Sequence, residues 1–247
     1  ELDWALRGRR APMDGFKLDE LKAALPGWCR QVEVSPLRSQ GGRKVLVFAT
    51  LHYWIGHATL LSLALAGLGH KATLAYLPYA TWKKPVAKFD LRRREAYARS
   101  VFKPAEELVN IVSFSGETEA KLPAQLEEKI AQVSVMDAQY TLQLEEIDKD
   151  SEIYQLRLGR NRTAAASALT WLQANKPDVL VIPNGLILEF GAIFHVAHHL
   201  GIPVVSYEFG EQRDRIWLAH NTPVMLQETD ALWRAKKDEA FSEAQRG

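Results

Sequence analysis

A single cysteine, Cys29, stands in the 247 residues. One thiol excludes an intrachain disulfide framework and a cysteine-based zinc site, and it fits a reducing cytoplasm. Long hydrophobic runs are also missing. The cleanest apolar stretch, 58–69, falls far short of the roughly 20 residues that a membrane span needs. The N-terminus "ELDWALRGRR" is charged and has no apolar core, so it does not read as a secretory leader. Charge of one sign is lacking too: 31 Lys and Arg face 30 Asp and Glu, a net charge of +1. Such a chain is no polycation built for nucleic acid, and none is expected as a partner. Internal repeats, low-complexity tracts, a G-x-G-x-x-G fingerprint and an H-E-x-x-H motif are absent, which argues against a nicotinamide or flavin site and against that metal site. An initiator Met is missing and the chain stops after a helical pattern, so a trimmed piece of a longer protein is expected.

What is there is an ordinary globular composition, 47% apolar and 25% charged. The charge is unevenly spread. Lys83, Lys84, Lys88, Arg92, Arg93, Arg94, Arg99 and Lys103 face only Asp90 and Glu95, whereas 117–152 is strongly acidic. A solvated helix is the first reading of the basic segment. Its second reading is peripheral contact with an anionic membrane face, with Phe89, Leu91, Tyr97 and Val101 as the apolar side.

Periodicity gives the elements. Leu18, Leu21, Ala24 and Leu25 recur at helical spacing behind Asp14, a candidate cap. The run "KVLVFAT" at 44–50 predicts a buried strand. A helix follows over 57–68, with Leu60, Leu61, Ala64, Leu65 and Leu68 on one face and Gly69 as its stop. A second strand covers 71–77. A basic helix is expected over 84–103, a third strand over 108–116, and helices over 123–147 and 150–175. Then "PDVLVIPNG", "LILEFGAIFHVAHHLG" and "IPVVSYEFG" repeat strand, helix and strand, with Gly201 closing the helix. "DRIWLAHN" reads as one more extended piece, and 223–241 as a final helix. This alternation predicts an α/β fold, a Rossmann-like doubly wound parallel sheet with helices on both faces. The chain divides into an N-terminal helical appendage and linker (1–42), the Rossmann-like domain (43–222, with a helical insertion at about 117–175) and a terminal helix (223–247).

The stretch "VLVFATLHYWIGHATLLSLALAGLGHKATLAYLPY" resembles the opening of a GT-B glycosyltransferase, whose first helix ends in the pattern ALAxxGH, here residues 64–70. Pro177-Asp178 and Gly201-Ile202-Pro203-Val204-Val205 are similar to a later block of that family. The insertion and "NGLILEF" resemble a bacterial surface-polysaccharide subgroup. The resemblance covers roughly 43–222 and matches only the first of the family's two Rossmann-like domains. It implies the N-terminal, acceptor-side half of an enzyme that moves a sugar from a nucleotide-sugar to a glycan or lipid-linked acceptor. Such an enzyme works in the cytoplasm or at the inner membrane face. The nucleotide-sugar is its donor substrate, with no further cofactor and no catalytic metal. Two other readings stay open: a non-catalytic sugar- or nucleotide-binding module, and a GT-B-like sugar epimerase fragment.

In an open α/β sheet, ligands bind beyond the carboxyl ends of the strands. That rule selects 50–57, 78–83, 114–118, 183–189 and 207–215. In the first, Gly56 allows close approach, His52, Tyr53 and Trp54 can stack on or bond a sugar, and His57 is expected in the first helical turn, facing the cleft. In the fourth, Asn184 and Gly185 form a turn, and Glu189 is a lone carboxylate at a helix start. The fifth concentrates Glu208, Glu211, Arg213, Asp214 and Arg215. A carboxylate or His can take the proton of an acceptor hydroxyl, and Arg can hold a diphosphate. His57, Glu208 and Glu211 are the candidates for the reacting centre. His70 falls at the opposite edge of the sheet and is expected to be structural. His195, His198 and His199 read as an amphipathic helix face, not a metal site.

Overall fold

A computed structural model describes residues 15–116, 120–210 and 215–240. The chain runs α1 (Asp19–Glu33), β1 (Lys44–Thr50), α2 (His52–Gly67), β2 (Lys71–Leu77), α3 (Lys88–Phe102), β3 (Asn110–Ser113), α4 (Ala124–Leu142), α5 (Glu152–Asn175), β4 (Val179–Pro183), α6 (Leu188–His199), β5 (Val204–Phe209), β6 (Ile216–His220) and α7 (Asp230–Lys236). Six strands form one sheet in the order β3-β2-β1-β4-β5-β6. The first five strands are parallel, and β6 turns back antiparallel to β5, pairing Tyr207 with Leu218. The fold is the α/β, Rossmann-like doubly wound one.

The central strands are apolar because both their faces are covered. Leu46, Val47, Phe48 and Ala49 of β1 are fully buried. One helical layer holds α1 and α2, which pack on each other and, through α2, on β1 and β2; the other holds α4, α5 and α6, packed on one another and, through α6, on β1, β4 and β5. Phe16, Leu18, Leu21, Leu25, Cys29 and Val32 belong to the same core as the sheet, so α1 is packed on the body. Asp14, its candidate cap, lies outside the described residues; the N-cap position is Leu18.

Two boundaries depart from expectation in ways that matter. Helix α2 begins at His52, five residues before the predicted start. Leu51, at φ 65°, makes the whole strand-to-helix turn. The segment 52–57 is therefore helix, and the free N–H groups lie at its start, not after Gly56. Aromatic burial drives this: Trp54 and Ile55 are buried in the core, and packing overrides the weak helix propensity of the stretch. At the other end, 223–241 does not form one helix. Val224–Leu226 is a 3-10 turn, and α7 is short with no buried residue. A helix with no apolar stripe against a neighbour lacks the packing that lengthens helices.

Candidate functional site

Strands β1 and β4 are adjacent, and the chain winds away from them in opposite directions. That is the switch point where an open sheet leaves a crevice. Backbone strain gathers there. Leu51 has φ 65°, Asn184 φ 56° and Leu188 φ 57°. Left-handed backbone is costly for a leucine and collects at functional sites. A cavity of about 590 Å³ occupies the crevice, walled by the aromatic rings of Tyr53, Trp54, Trp82, Tyr140, Phe190 and Phe209. Glu208, Asn184, Thr141 and Met225 complete its main features.

Glu208 is fixed through both oxygens. Its Oε1 accepts the Phe209 N–H at 3.1 Å, and its Oε2 accepts from Asn184 Nδ2 at 3.3 Å. Asn184 owes this position to its own turn, in which Oδ1 accepts the N–H groups of Leu186 (3.0 Å) and Ile187 (3.2 Å). Asn184 therefore shapes the loop and aims Glu208. Gly185 is a turn residue and does not line the cavity: it sits at φ +81°, and an added Cβ would stand 3.2 Å from Ser206 Cβ and 3.3 Å from Pro223 Cα. Two of the lining residues, Trp82 and Thr141, keep a polar atom (Nε1 and Oγ1) buried away from solvent with no hydrogen-bond partner among the described residues. Trp82 lies in the selected segment 78–83 but is not singled out there, and Tyr140 and Thr141 fall outside every selected segment. Tyr140 and Thr141 come from α4, far in sequence from every strand end, and only the packing of α4 brings them here.

His57 does not share this cavity with Glu208. It lines a second one, of about 700 Å³, between α1 and α2, together with His52, Tyr53, Gly56, Asp19 and Trp28. The cause is the early helix start, which puts His57 in the second helical turn. The His57 ring packs edge-on to Phe209, with centroids 4.7 Å apart. Trp54 stacks on the same Phe209 at 5.2 Å and 12°. His57 Nδ1 lies 3.1 Å from the Tyr207 hydroxyl. Tyr207 is 1% exposed, so its O–H must find an acceptor indoors. Burial raises the Tyr207 phenol, with Glu208 adding to it, and burial lowers His57. A protonated phenol beside a neutral imidazole places the hydrogen on the Tyr207 oxygen, donated to Nδ1. The remaining proton of His57 then sits on Nε2, so this ring presents a donor and not a base. Burial also lowers His52, whose Nδ1 has no partner among the described residues. Gly56 lies inside α2 with open space around it, so it marks no close approach of a backbone.

Glu189 stands in the first turn of α6, as expected, but faces the interior and not the cavity. It is 1% exposed and pairs with Arg157 Nη2 at 3.3 Å. Arg157, itself fully buried, also donates from Nε to Asp137 Oδ2 at 2.9 Å and from Nη1 to the Trp82 carbonyl at 3.2 Å. Asp137 Oδ1 accepts the Leu188 N–H at 2.8 Å, and Oδ2 accepts from Asn161 Nδ2 at 3.3 Å. Burial alone would lower the Arg157 guanidinium, but Glu189 and Asp137 outweigh it and raise it. Beside it, Arg160 donates to the Thr81 carbonyl at 2.8 Å and lies 4.1 Å from the Tyr79 ring centroid. This cluster ties the segment after β2 and the loop after β4 to α4 and α5. In the sequence, Glu189 and Asp137 stand as isolated charges in apolar helical runs, with nothing to show that they share Arg157.

The remaining candidates scatter. Glu211, Arg213 and Asp214 lie outside the described residues. Arg215 is exposed and does not line the cavity. His70 lies outside both cavities, and its Nδ1 accepts the Arg43 N–H at 3.1 Å. His195 is pushed down to about 4 by burial, with Lys129 and His198 adding to it, and no group of His, Cys, Asp or Glu suited to a metal exists among the described residues. Of the apolar side chains named for the basic helix, Phe89 is exposed and the others pack inward. Val101 is buried, Leu91 packs against the core, and the Tyr97 hydroxyl donates to Asp19 at 2.9 Å. Arg94 is 2% exposed, Arg93 pairs with Asp90 and Arg99 with Glu95. No helix among the described residues is long and apolar enough to cross a membrane. No protein-family model and no curated protein sequence matches the chain.

Proposed function

We propose that this chain is the acceptor-side domain of a GT-B-type glycosyltransferase, which moves a sugar from a nucleotide-sugar to a glycan or lipid-linked acceptor. The observation that carries the reading is the switch-point cavity: aromatic rings on most sides and one anchored carboxylate. Aromatic faces suit the apolar C–H face of a sugar ring, and fixed polar groups set its orientation. Glu208 accepts hydrogen bonds from the hydroxyls of the acceptor. The rings of Trp54 and Phe209, buttressed by His57 and Tyr207, form the stacking wall.

Saturation-transfer NMR on the chain with hexoses and short glycans, beside UDP- and GDP-hexoses, tests this. Glycan contacts that vanish on Trp82→Ala are expected. A chain that binds no glycan of any kind under these conditions overturns the reading. The engagement of both Glu208 oxygens and of His57 Nδ1 inside the protein favours a second reading, a sugar-binding module without catalysis. The two separate on whether the protein consumes a nucleotide-sugar in the presence of a bound glycan.

A further inference from the structure

The charge inventory of the switch-point cavity is one-sided. Glu208 is a carboxylate, and no Lys, Arg or His is among the described residues that line the wall. The buried arginines are engaged elsewhere: Arg157 pairs with Asp137 and Glu189, and Arg160 bonds the Thr81 carbonyl and faces the Tyr79 ring. An anion placed in this cavity would meet the Glu208 carboxylate with no cation among the described lining residues to compensate, which is unfavourable. The cavity therefore does not suit the diphosphate of a nucleotide-sugar. Aromatic faces around a carboxylate suit the opposite charge. Ring quadrupoles attract an ammonium group, and a carboxylate pairs with it by a charge-assisted bond. One of these rings already faces a cation: Lys83, an exposed residue outside the lining, places Nζ 6.0 Å from the Trp82 centroid. Solvent screens that exposed charge, so it does not block a second cation inside.

We infer that the ligand of this cavity carries an ammonium group, so that the acceptor unit is an amino sugar with a free amine. The sugar part of this statement rests on the glycosyl-transfer reading; the ammonium part rests on Glu208 and the rings alone. The amine sits between the Glu208 carboxylate and the rings of Tyr53, Trp54 and Tyr140.

The test compares four probes on the whole chain by saturation-transfer NMR or calorimetry: glucosamine, N-acetylglucosamine, glucose and tetramethylammonium. Glucosamine is expected to bind roughly tenfold more tightly than its N-acetyl form, the size of one charge-assisted contact. Glu208→Gln should erase that preference while leaving glucose unchanged. Tyr140→Leu, at a side chain 62% exposed and so harmless to folding, should weaken glucosamine and tetramethylammonium alike. A thermal scan of each variant separates lost binding from lost fold. Equal binding of glucose and glucosamine overturns the ammonium inference and leaves the glycan reading standing. Binding of tetramethylammonium with no sugar bound overturns the glycan reading and leaves the ammonium site. Binding of none of the four overturns both.

Discussion

At the scale of single residues, the contact that decides most is between His57 and Tyr207. A phenol raised by burial and an imidazole lowered by it fix the proton order, O–H to Nδ1, and leave Nε2–H on His57. Nitrogen-15 NMR of the His57 ring at neutral pH should report the Nε2–H tautomer. Tyr207→Phe should remove that bias and raise the His57 pKa, since a lost partner lets water approach the ring. A ring found as the Nδ1–H tautomer in the unaltered protein contradicts the assignment. Of the site, the text of the sequence disclosed Glu208, Trp54 and Tyr53, because they stand just past buried strands. It did not disclose that His57 turns away from Glu208. That depended on Leu51 accepting φ 65°, a conformation for which a leucine gives no sequence signal.

At the scale of elements, the α4–α5 pair and α6 are joined by charge as well as by apolar packing. Arg157→Leu strands Asp137 and Glu189 without their cation and should cost about 3–5 kcal/mol in urea unfolding. Adding Asp137→Leu and Glu189→Leu to it should restore much of that loss, because a buried ion cluster exchanged whole for apolar side chains is often neutral. If the single variant unfolds at the same urea concentration as the parent, the cluster does not carry the joint. Close packing holds the same place from the other side. A Cβ at Gly191 of α6 would stand 2.7 Å from the Leu186 carbonyl carbon and 2.9 Å from Val133 Cγ1. Gly191→Ala should therefore cost about 1–3 kcal/mol by overpacking and displace the loop that aims Glu208. Circular dichroism in denaturant reads the first effect and loss of ligand contacts the second. Helix propensity in the sequence located α4, α5 and α6 well. It could not say that Tyr140 and Thr141, near the end of α4, reach the crevice.

At the scale of the whole molecule, stability should depend on pH through buried histidine. His195 is held down to about 4 by burial from an ordinary value of 6.5. Its folded form prefers to be neutral, so the unfolded chain binds more protons between those values. The stability it contributes is full above pH 6.5 and is lost as pH falls toward about 4. His52 and His57, lowered in the same direction, add to this slope. Replacing His195 by Gln should flatten the fall in unfolding free energy, measured by urea titration between pH 7 and 5. An unchanged slope would falsify the assignment.

The sequence by itself determined the alternation of strands and helices, the parallel strands and the edge of the sheet at which their carboxyl ends lie. These follow from the period of apolar residues, the Gly stops and the rule that parallel strands need crossovers, all of which act locally. The tertiary structure decided the rest. It set which strand ends became neighbours, opened one cavity toward Glu208 and another toward His57, and gave the helix-start carboxylate Glu189 a buried partner in Arg157. Those outcomes rest on contacts between residues far apart in the chain, 32 positions for Arg157 and Glu189 and 150 for His57 and Tyr207. No local pattern encodes a contact of that range; it exists only once the core has closed around it.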